Sequence, residues 1–203
     1  MKFYNSLTDK REEFVPLGEI VRMYTCGPTV YDYVTIGNWR TYTLGDFVVR
    51  TLKFLGYEVK YVMNITDVGH LTGDNQGDSD SGEDRMEKAS EREGKTASEL
   101  ADFYTKDFKK GMEKLNFVVP DKLPKATAHI DEQIELIEKI EEKGFAYQIS
   151  DGVYFDTQAY EEAGNEYGKL SSLDEIKEGA RVEVNKEKKD ARDFALWKFS
   201  KST

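Results

Sequence analysis

The sequence has a single cysteine, Cys26, among its 203 residues. One thiol excludes an internal disulfide and a zinc site built from four cysteines. No apolar run approaches the roughly 20 residues that a membrane-spanning helix needs, and the N-terminus lacks the apolar stretch of a signal peptide. These absences predict a soluble cytoplasmic protein with no membrane partner.

Positive charge is also scarce. Lysine and arginine number 29 against 39 aspartates and glutamates, which gives a formal net charge of -10. Broad affinity for polyanions is therefore disfavoured, because counterion release needs clustered basic residues; an RNA that docks on a local basic patch is still compatible. Aromatic residues make up 12% and hydrophobic residues 38% of the chain. Such a chain is too apolar to be disordered and predicts a folded core.

The first half of the chain predicts a strand, a helix and a second strand. Apolar residues favour a short buried strand over 19–26, and alternating apolar residues favour another over 57–65. Between them a helix is expected over about 38–55, with Gly56 at its C-terminal end. Its apolar residues at helical spacing are Leu44, Phe47, Val48, Leu52 and Leu55. This βαβ unit predicts an α/β fold with a parallel sheet and a right-handed crossover.

Two amphipathic helices are expected further along. Thr96 and Glu99 form a capping box at the start of the first helix. Its apolar face consists of Leu100, Tyr104, Phe108, Met112 and Leu115. The second helix is expected over 129–143. Its predicted buried residues are Ile130, Ile134, Ile137 and Ile140.

A hairpin and loops account for the rest of the chain. Residues 145–157 predict a hairpin around Asp151-Gly152, a dipeptide that tolerates a type I′ turn. Residues 160–193 are charged and predict a loop, with a short possible strand at 180–184. The apolar cluster at 194–199 indicates the start of another buried element.

An acidic run over 73–84 invites comparison with a calcium loop. The alternating ligand spacing and the glutamate twelve positions into such a loop are not met. We therefore interpret the run as a solvated loop. The two histidines, His70 and His129, match no zinc-ligand spacing either.

The segment between the first predicted strand and helix has features of a nucleotide site. The strand leads to Cys26, and Ile36-Gly37-Asn38 then open the helix. Backbone N–H groups at a helix start, together with the helix dipole, favour phosphate binding. Gly37 has no side chain, so a base or ribose is able to approach the backbone closely. Many α/β chains share these features, so they favour nucleotide binding without specifying it.

A longer pattern around this segment carries a family resemblance. Residues 24–40 closely resemble the signature of cysteinyl-tRNA synthetases, which are class I aminoacyl-tRNA synthetases with a Rossmann-type catalytic domain. Further blocks follow in the family order at 61–71, 82–87, 125–130, 151–156, 167–171 and 194–200. The resemblance implies the first half of that parallel-sheet domain over 1–116, a connective α+β insertion over 117–193, and the start of the second half over 194–203.

The resemblance also implies an activity and its partners. The family activates L-cysteine with Mg-ATP and transfers it to tRNA-Cys, and the complete protein is expected to be a monomer. Cys26 matches a zinc ligand whose metal binds the thiolate of the substrate, while Thr66 and Trp197 match residues that shape the cysteine pocket. Zinc prefers sulfur ligands and serine has none, so the metal selects cysteine without an editing step.

The ATP-binding element of the family, H-I-G-H or H-I-G-N, corresponds here to Thr35-Ile-Gly-Asn38. The resemblance implies ATP binding by Gly27, Thr35, Gly37 and Asn38, with catalytic contacts from Thr35 and Asn38. A threonine replaces the usual leading histidine, and losing one such donor costs on the order of 100-fold in rate. Related nucleotidyltransferases accept threonine at this point, so the substitution is compatible with both an active and an inactive site.

Several family features match nothing in these 203 residues. They are the remaining zinc ligands, the lysine-rich K-M-S-K-S loop and the anticodon-binding helices, which the resemblance places in a C-terminal half in the same or another chain. Two alternatives stay open. One is a non-catalytic truncated paralogue that binds nucleotide, cysteine or a partner chain, and Thr35 favours it. The other is the homologous ligase that joins cysteine to an aminosugar-inositol.

Overall fold

The computed structural model describes residues 1–69, 85–170 and 185–199. Within these ranges one compact unit comprises 15–69 and 85–130, and a second comprises 1–14, 131–170 and 185–199. The elements in chain order are β1 (Lys2–Asn5), β2 (Lys10–Glu13), β3 (Ile20–Thr25), α1 (Ile36–Phe54), β4 (Glu58–Met63), α2 (Arg85–Glu93), α3 (Ala97–Lys114), α4 (Ile130–Glu142), β5 (Ala146–Ile149), β6 (Gly152–Phe155), α5 (Thr157–Glu162) and β7 (Phe194–Lys198).

The predicted βαβ unit is confirmed in the first compact unit. β3 pairs in parallel with β4, from Ile20 opposite Glu58 to Thr25 opposite Met63, and α1 connects the two strands. Both strands are slightly shorter than predicted, and α1 begins two residues earlier than expected. The mixed α/β class is therefore confirmed, and the parallel sheet of the described residues consists of these two strands.

A third segment lies along β4, and the sequence analysis did not predict it. Isolated parallel bridges join Val62 to Lys122 and Ile65 to Lys125. The Met63 N–H donates to the Lys122 carbonyl at 3.1 Å, and the Ile65 N–H donates to the Pro124 carbonyl at 2.8 Å. Pro120 and Pro124 weaken any strand pattern here, because proline cannot donate to a ladder. The pairing consequently stays irregular.

The predicted apolar face of α1 was partly wrong. Leu44, Phe47 and Leu55 are 66%, 61% and 51% exposed, and the helix instead buries Tyr42 and Val49 together with the predicted Leu52. Leu44 and Phe47 line an open groove with Leu115. The apolar residues of α1 lie on more than one face of the helix. Which of these faces the sheet covers depends on how α1 crosses from β3 to β4.

α3 begins with the predicted capping box. The Thr96 hydroxyl accepts from the Glu99 N–H at 3.3 Å, and the Glu99 carboxylate accepts from the Thr96 N–H at 2.9 Å. Of the predicted apolar face, four residues are buried, and Leu115 at the C-terminal cap is 50% exposed. The four are Leu100, Tyr104, Phe108 and Met112.

Gly111 lets α3 approach α1 closely. A Cβ at position 111 would lie 2.4 Å from the Trp39 ring. That ring stacks on Phe108 at 5.4 Å and meets the edges of Tyr42 at 5.7 Å and Phe117 at 5.9 Å. This aromatic cluster ties the start of α1 to α3.

The second compact unit contains the predicted hairpin. β5 pairs antiparallel with β6, Ile149 opposite Gly152, and β7 adds to the other edge of β6. Asp193, immediately before β7, is 2% exposed. Its carboxylate accepts from the Thr157 N–H at 2.9 Å and the Tyr147 hydroxyl at 2.7 Å, so it joins the segment before β7 to β5 and to the start of α5.

Other predictions for this unit need correction. The structure buries none of the isoleucines of α4, and Ile134 is 40% exposed. An apolar stripe shows which helix face is apolar, and it does not show that another element covers it. Part of the predicted loop forms α5, because the Asp156 carboxylate accepts from the Ala159 N–H at 2.8 Å and caps the helix. The β1–β2 hairpin and α2 were not predicted.

Some predictions fall outside the described residues: the acidic loop at 73–84, His70, and the strand at 180–184. Among the residues that the structure does describe, no helix has the length and apolar character to span a membrane.

Candidate functional site

The candidate site lies at the carboxyl ends of the two parallel strands. Cys26 directly follows β3 and is exposed, and Asn64 directly follows β4. In sheets of this kind ligands bind in the crevice beyond the strand ends. The local pairing therefore places the loop with Cys26 beside the loop with Thr66 where a ligand is expected.

The side chain of Asn64 connects these two loops. Its Oδ1 accepts from the Gly27 N–H at 2.8 Å and from the Tyr24 hydroxyl at 3.0 Å. Its Nδ2 donates to the Thr66 hydroxyl at 3.0 Å. One amide thus contacts a neighbour of Cys26 and the predicted pocket residue Thr66.

The backbones of the two loops also pair. The Thr66 N–H donates to the Pro28 carbonyl at 3.0 Å, and the Val30 N–H donates to the Thr66 carbonyl at 3.0 Å. A Cβ on Gly27 would lie 1.8 Å from the backbone oxygen of Asn64. Glycine is therefore required at position 27 by the approach of the Asn64 backbone.

The pKa values of two tyrosines, Tyr24 and Tyr42, respond to Cys26. Burial, and to a smaller extent the charge of Cys26, raises the pKa of Tyr42 to about 12. Partial burial, followed by the charge and hydrogen bonding of Cys26, raises the pKa of Tyr24. Both phenols therefore stay neutral at physiological pH.

The zinc ion that the resemblance implies does not fit these residues by themselves. Cys26 is exposed and able to bind a metal, but a tetrahedral site needs further ligands. Over 1–69, 85–170 and 185–199, no group of three or more histidines, cysteines, aspartates or glutamates is placed to hold a metal ion.

The start of α1 brings together three predicted ATP-site residues. Thr35 is the N-cap: its hydroxyl accepts from the Asn38 N–H at 3.3 Å and donates to the Asn38 Oδ1 at 2.6 Å. A Cβ on the exposed Gly37 would meet only the Thr35 hydroxyl within 4 Å, at 3.7 Å. The first turn contains no acidic residue, which favours an anion beside the helix N-terminus.

α2 and α3 hold the segment between Cys26 and Thr35. The Arg85 guanidinium donates to the Tyr31 hydroxyl at 2.6 Å and lies 5.3 Å from the centre of that ring. The ring of Tyr33 meets Tyr104 edge to face at 5.1 Å. The block at 82–87 is part of the family resemblance, but the sequence did not predict this contact, because nothing local relates Arg85 to a tyrosine 54 positions earlier.

Sequence reasoning also missed Asn64 and Asp67. Asp67 is 7% exposed, and its carboxylate accepts from the Thr127 N–H at 3.0 Å and the Thr127 hydroxyl at 2.6 Å. One signal in the sequence was available: Asn64 and Asp67 are polar residues that come directly after a predicted buried strand, where site residues are common. The contact attaches the block at 125–130 to the end of β4.

The remaining predicted pocket residue is in the other compact unit. Trp197 lies in β7 opposite Val153 and is half-buried. The pocket roles of Cys26, Thr66 and Trp197 stay predictions.

Comparison with known proteins identifies the family. Residues 13–203 match the family model of tRNA synthetases class I (C) catalytic domain. The cysteine–tRNA ligase of Treponema denticola is 49% identical over 205 aligned residues, which cover 100% of this chain and 40% of that protein.

Two further relatives agree. The cysteine–tRNA ligase of Borrelia garinii subsp. bavariensis is 44% identical across 97% of this chain, and that of Chlorobium chlorochromatii is 45% identical across 98%. The chain spans about 40% of the length of each of these relatives. The resemblance expected from the motifs is therefore confirmed, and the chain belongs to the class I (C) family of tRNA synthetases.

Proposed function

We propose that the chain is the N-terminal portion of a cysteine–tRNA ligase. The observation that carries the proposal is its 49% identity, over its whole length, to a protein of that name. The arrangement of Cys26, Thr66 and the N-terminus of α1 around one pair of strand ends supports it. The proposed protein activates L-cysteine with Mg-ATP and transfers the cysteinyl group to tRNA-Cys.

In the activation step, the carboxylate of cysteine attacks the α-phosphorus of ATP. A bond forms between the carboxylate oxygen and phosphorus, and the bond to the leaving pyrophosphate breaks. Gly27, Thr35, Gly37 and Asn38 are the proposed ATP-binding residues, with Thr35 and Asn38 in contact with the reacting phosphates. Their contribution is to align the groups and to stabilise the developing charge with fixed donors.

Cys26, Thr66 and Trp197 are the proposed cysteine-pocket residues. Cys26 is also the proposed contribution of this chain to a zinc site whose other ligands lie outside the 203 residues. The described residues do not complete that site, so the selection of cysteine over serine is assigned to the complete protein.

The fold proposal follows the same family. We propose a Rossmann-type catalytic domain with its first half over 1–116, a connective α+β insertion over 117–193 and the start of its second half over 194–203. A cytoplasmic monomer is proposed for the complete protein. The parallel pairing of β3 with β4 supports the first of these assignments.

The test is cysteine-dependent exchange of pyrophosphate into ATP, measured on the product of the complete reading frame and on the 203-residue chain. We expect exchange with cysteine and not with serine for the complete product, and none for the shorter chain. Cys26→Ser is expected to abolish the preference for cysteine. Charging of tRNA-Cys then separates the ligase from the enzyme that uses an aminosugar-inositol.

Thr35 keeps one second candidate open, a non-catalytic paralogue. The threonine caps α1, so its presence has a structural reason besides inactivation. If the complete product shows no exchange and Thr35→His produces a large gain, the threonine is an inactivating substitution. Absence of exchange in both the complete product and its Thr35→His variant would contradict the proposed ligase.

A further inference from the structure

Asn64 occupies a central position between the two predicted amino-acid-binding loops, and the family resemblance assigned it no role. We propose that Asn64 is a positioning residue whose side-chain amide holds the Cys26–Gly27 peptide and the Thr66 hydroxyl in one fixed arrangement. This inference rests on the proposed function, because it takes Cys26 and Thr66 as residues of the cysteine pocket.

The hydrogen-bond chemistry determines how the amide is oriented. A backbone N–H only donates, so the group of Asn64 that lies 2.8 Å from the Gly27 nitrogen is its oxygen. The amide nitrogen then faces the Thr66 hydroxyl, which accepts at 3.0 Å. A carboxylate lacks the donor, and an aliphatic side chain lacks both groups. Asparagine therefore supplies the acceptor and the donor that the two loops require.

The two loops depend on this amide to different degrees. The backbone of Thr66 is already held on both sides, by the Pro28 carbonyl and the Val30 N–H. The Gly27 N–H, in contrast, is held by the side chain of Asn64. The position of the peptide that carries Cys26 is therefore set by a side chain, and removal of that side chain is expected to release this peptide first.

Site-resolved amide hydrogen exchange on the ¹⁵N-labelled 203-residue chain tests the inference. In Asn64→Ala, the Gly27 amide is expected to exchange about 5- to 10-fold faster, as for the loss of one hydrogen bond. The Val30 amide, which donates to the Thr66 carbonyl, is the internal reference and is expected to change by less than about twofold. In Asn64→Asp, the carboxylate keeps the acceptor for the Gly27 N–H and the Thr66 hydroxyl is able to donate to it, so Gly27 exchange is expected to stay within about twofold of wild type.

Thr66→Val tests the other half of the contact without altering Asn64. It removes the hydroxyl that orients the amide, so the Gly27 amide is expected to exchange about two- to fivefold faster. The same substitution in the Asn64→Ala background is expected to add nothing at Gly27. Thr66→Val still decides the question if Asn64→Ala does not fold.

Three results would overturn the inference. They are unchanged exchange of Gly27 in Asn64→Ala, equal acceleration of Gly27 and Val30, which indicates general loosening, and no response of Gly27 to Thr66→Val. Because exchange is measured without substrate, a failure of the proposed ligase activity leaves the result standing. Conversely, an active ligase with unchanged Gly27 exchange would refute the positioning role alone.

Discussion

Gly37→Ala is expected to stabilise the protein while it weakens ATP binding. Position 37 is in the first turn of α1 and exposed, and an added Cβ would meet only the Thr35 hydroxyl, at 3.7 Å, an ordinary contact. Glycine in a helix costs about 0.5–1 kcal/mol relative to alanine. That value holds for the middle of a helix, and Gly37 is the second residue of α1, so we expect the free energy of unfolding to rise by up to that amount and Tm by up to about 4 °C.

No contact within the described structure requires a glycine at position 37, and the proposed reason for the glycine is the close approach of the nucleotide. A methyl group at that contact is expected to cost about 1–3 kcal/mol, which raises the KM for ATP in pyrophosphate exchange by about 5- to 150-fold. The measurements are urea unfolding followed by tryptophan fluorescence, and ATP titration of the exchange rate in the complete product.

Gly111→Ala is the matched control because it makes the same change in another helix. There the added Cβ would lie 2.4 Å from the Trp39 ring, which Phe108 and Tyr42 already contact. Overpacking is expected to exceed the helix gain, so the free energy of unfolding falls by about 1–2 kcal/mol. Loss of stability in Gly37→Ala, or a gain without weaker ATP binding, would refute the reasoning.

Three further outcomes follow from the contacts. Thr35→Ala removes the N-cap of α1 and is expected to lower the free energy of unfolding by about 1 kcal/mol, whereas Thr35→Ser keeps it within a few tenths; equal losses in urea unfolding would contradict the cap. Asp67→Ala leaves the Thr127 N–H and hydroxyl without their acceptor, so a loss of about 2–3 kcal/mol is expected in the same assay; a loss below about 0.5 kcal/mol would contradict it. The Tyr104 hydroxyl, then Arg92 and Lys95, lower the pKa of Glu93 to about 2; the carboxylate therefore stabilises the fold above its unfolded pKa, and this contribution is lost as pH falls from about 5 to 2. Glu93→Gln is expected to flatten this part of the stability profile, and an unchanged slope between pH 5 and pH 3 would refute it.

Local patterns predicted the elements that depend on short-range chemistry. The capping box of Thr96 and Glu99 forms as expected, since both groups belong to one helical turn. β3, α1 and β4 form the predicted parallel unit, because consecutive strands joined by a helical crossover usually pair in parallel in one sheet. The predicted hairpin also forms, but its two turn residues are Ser150 and Asp151, because Gly152 already pairs with Ile149 as the first residue of β6.

Predictions failed where a second element decides the outcome. The spacing of apolar residues did not indicate which face of α1 is buried. Leu44 and Phe47 were predicted on the apolar face, and both are exposed. The pairing of residues 121–126 with β4 depends on partners some 60 positions apart, and prolines obscure it. α2 was missed because charged residues dominate it, and its packing comes from contacts such as Arg85 with Tyr31.

The candidate site also has features that the sequence predicted and features that only the fold revealed. The motifs alone were enough to assign the family and to select Cys26, Gly37 and Asn38 as candidate residues, because motifs are contiguous and their spacing is covalent. Only the tertiary structure showed that Asn64 contacts Gly27 and Thr66 together. The reason is physical: a hydrogen bond across two strand ends needs both strands in register, and that register exists only after the sheet has formed.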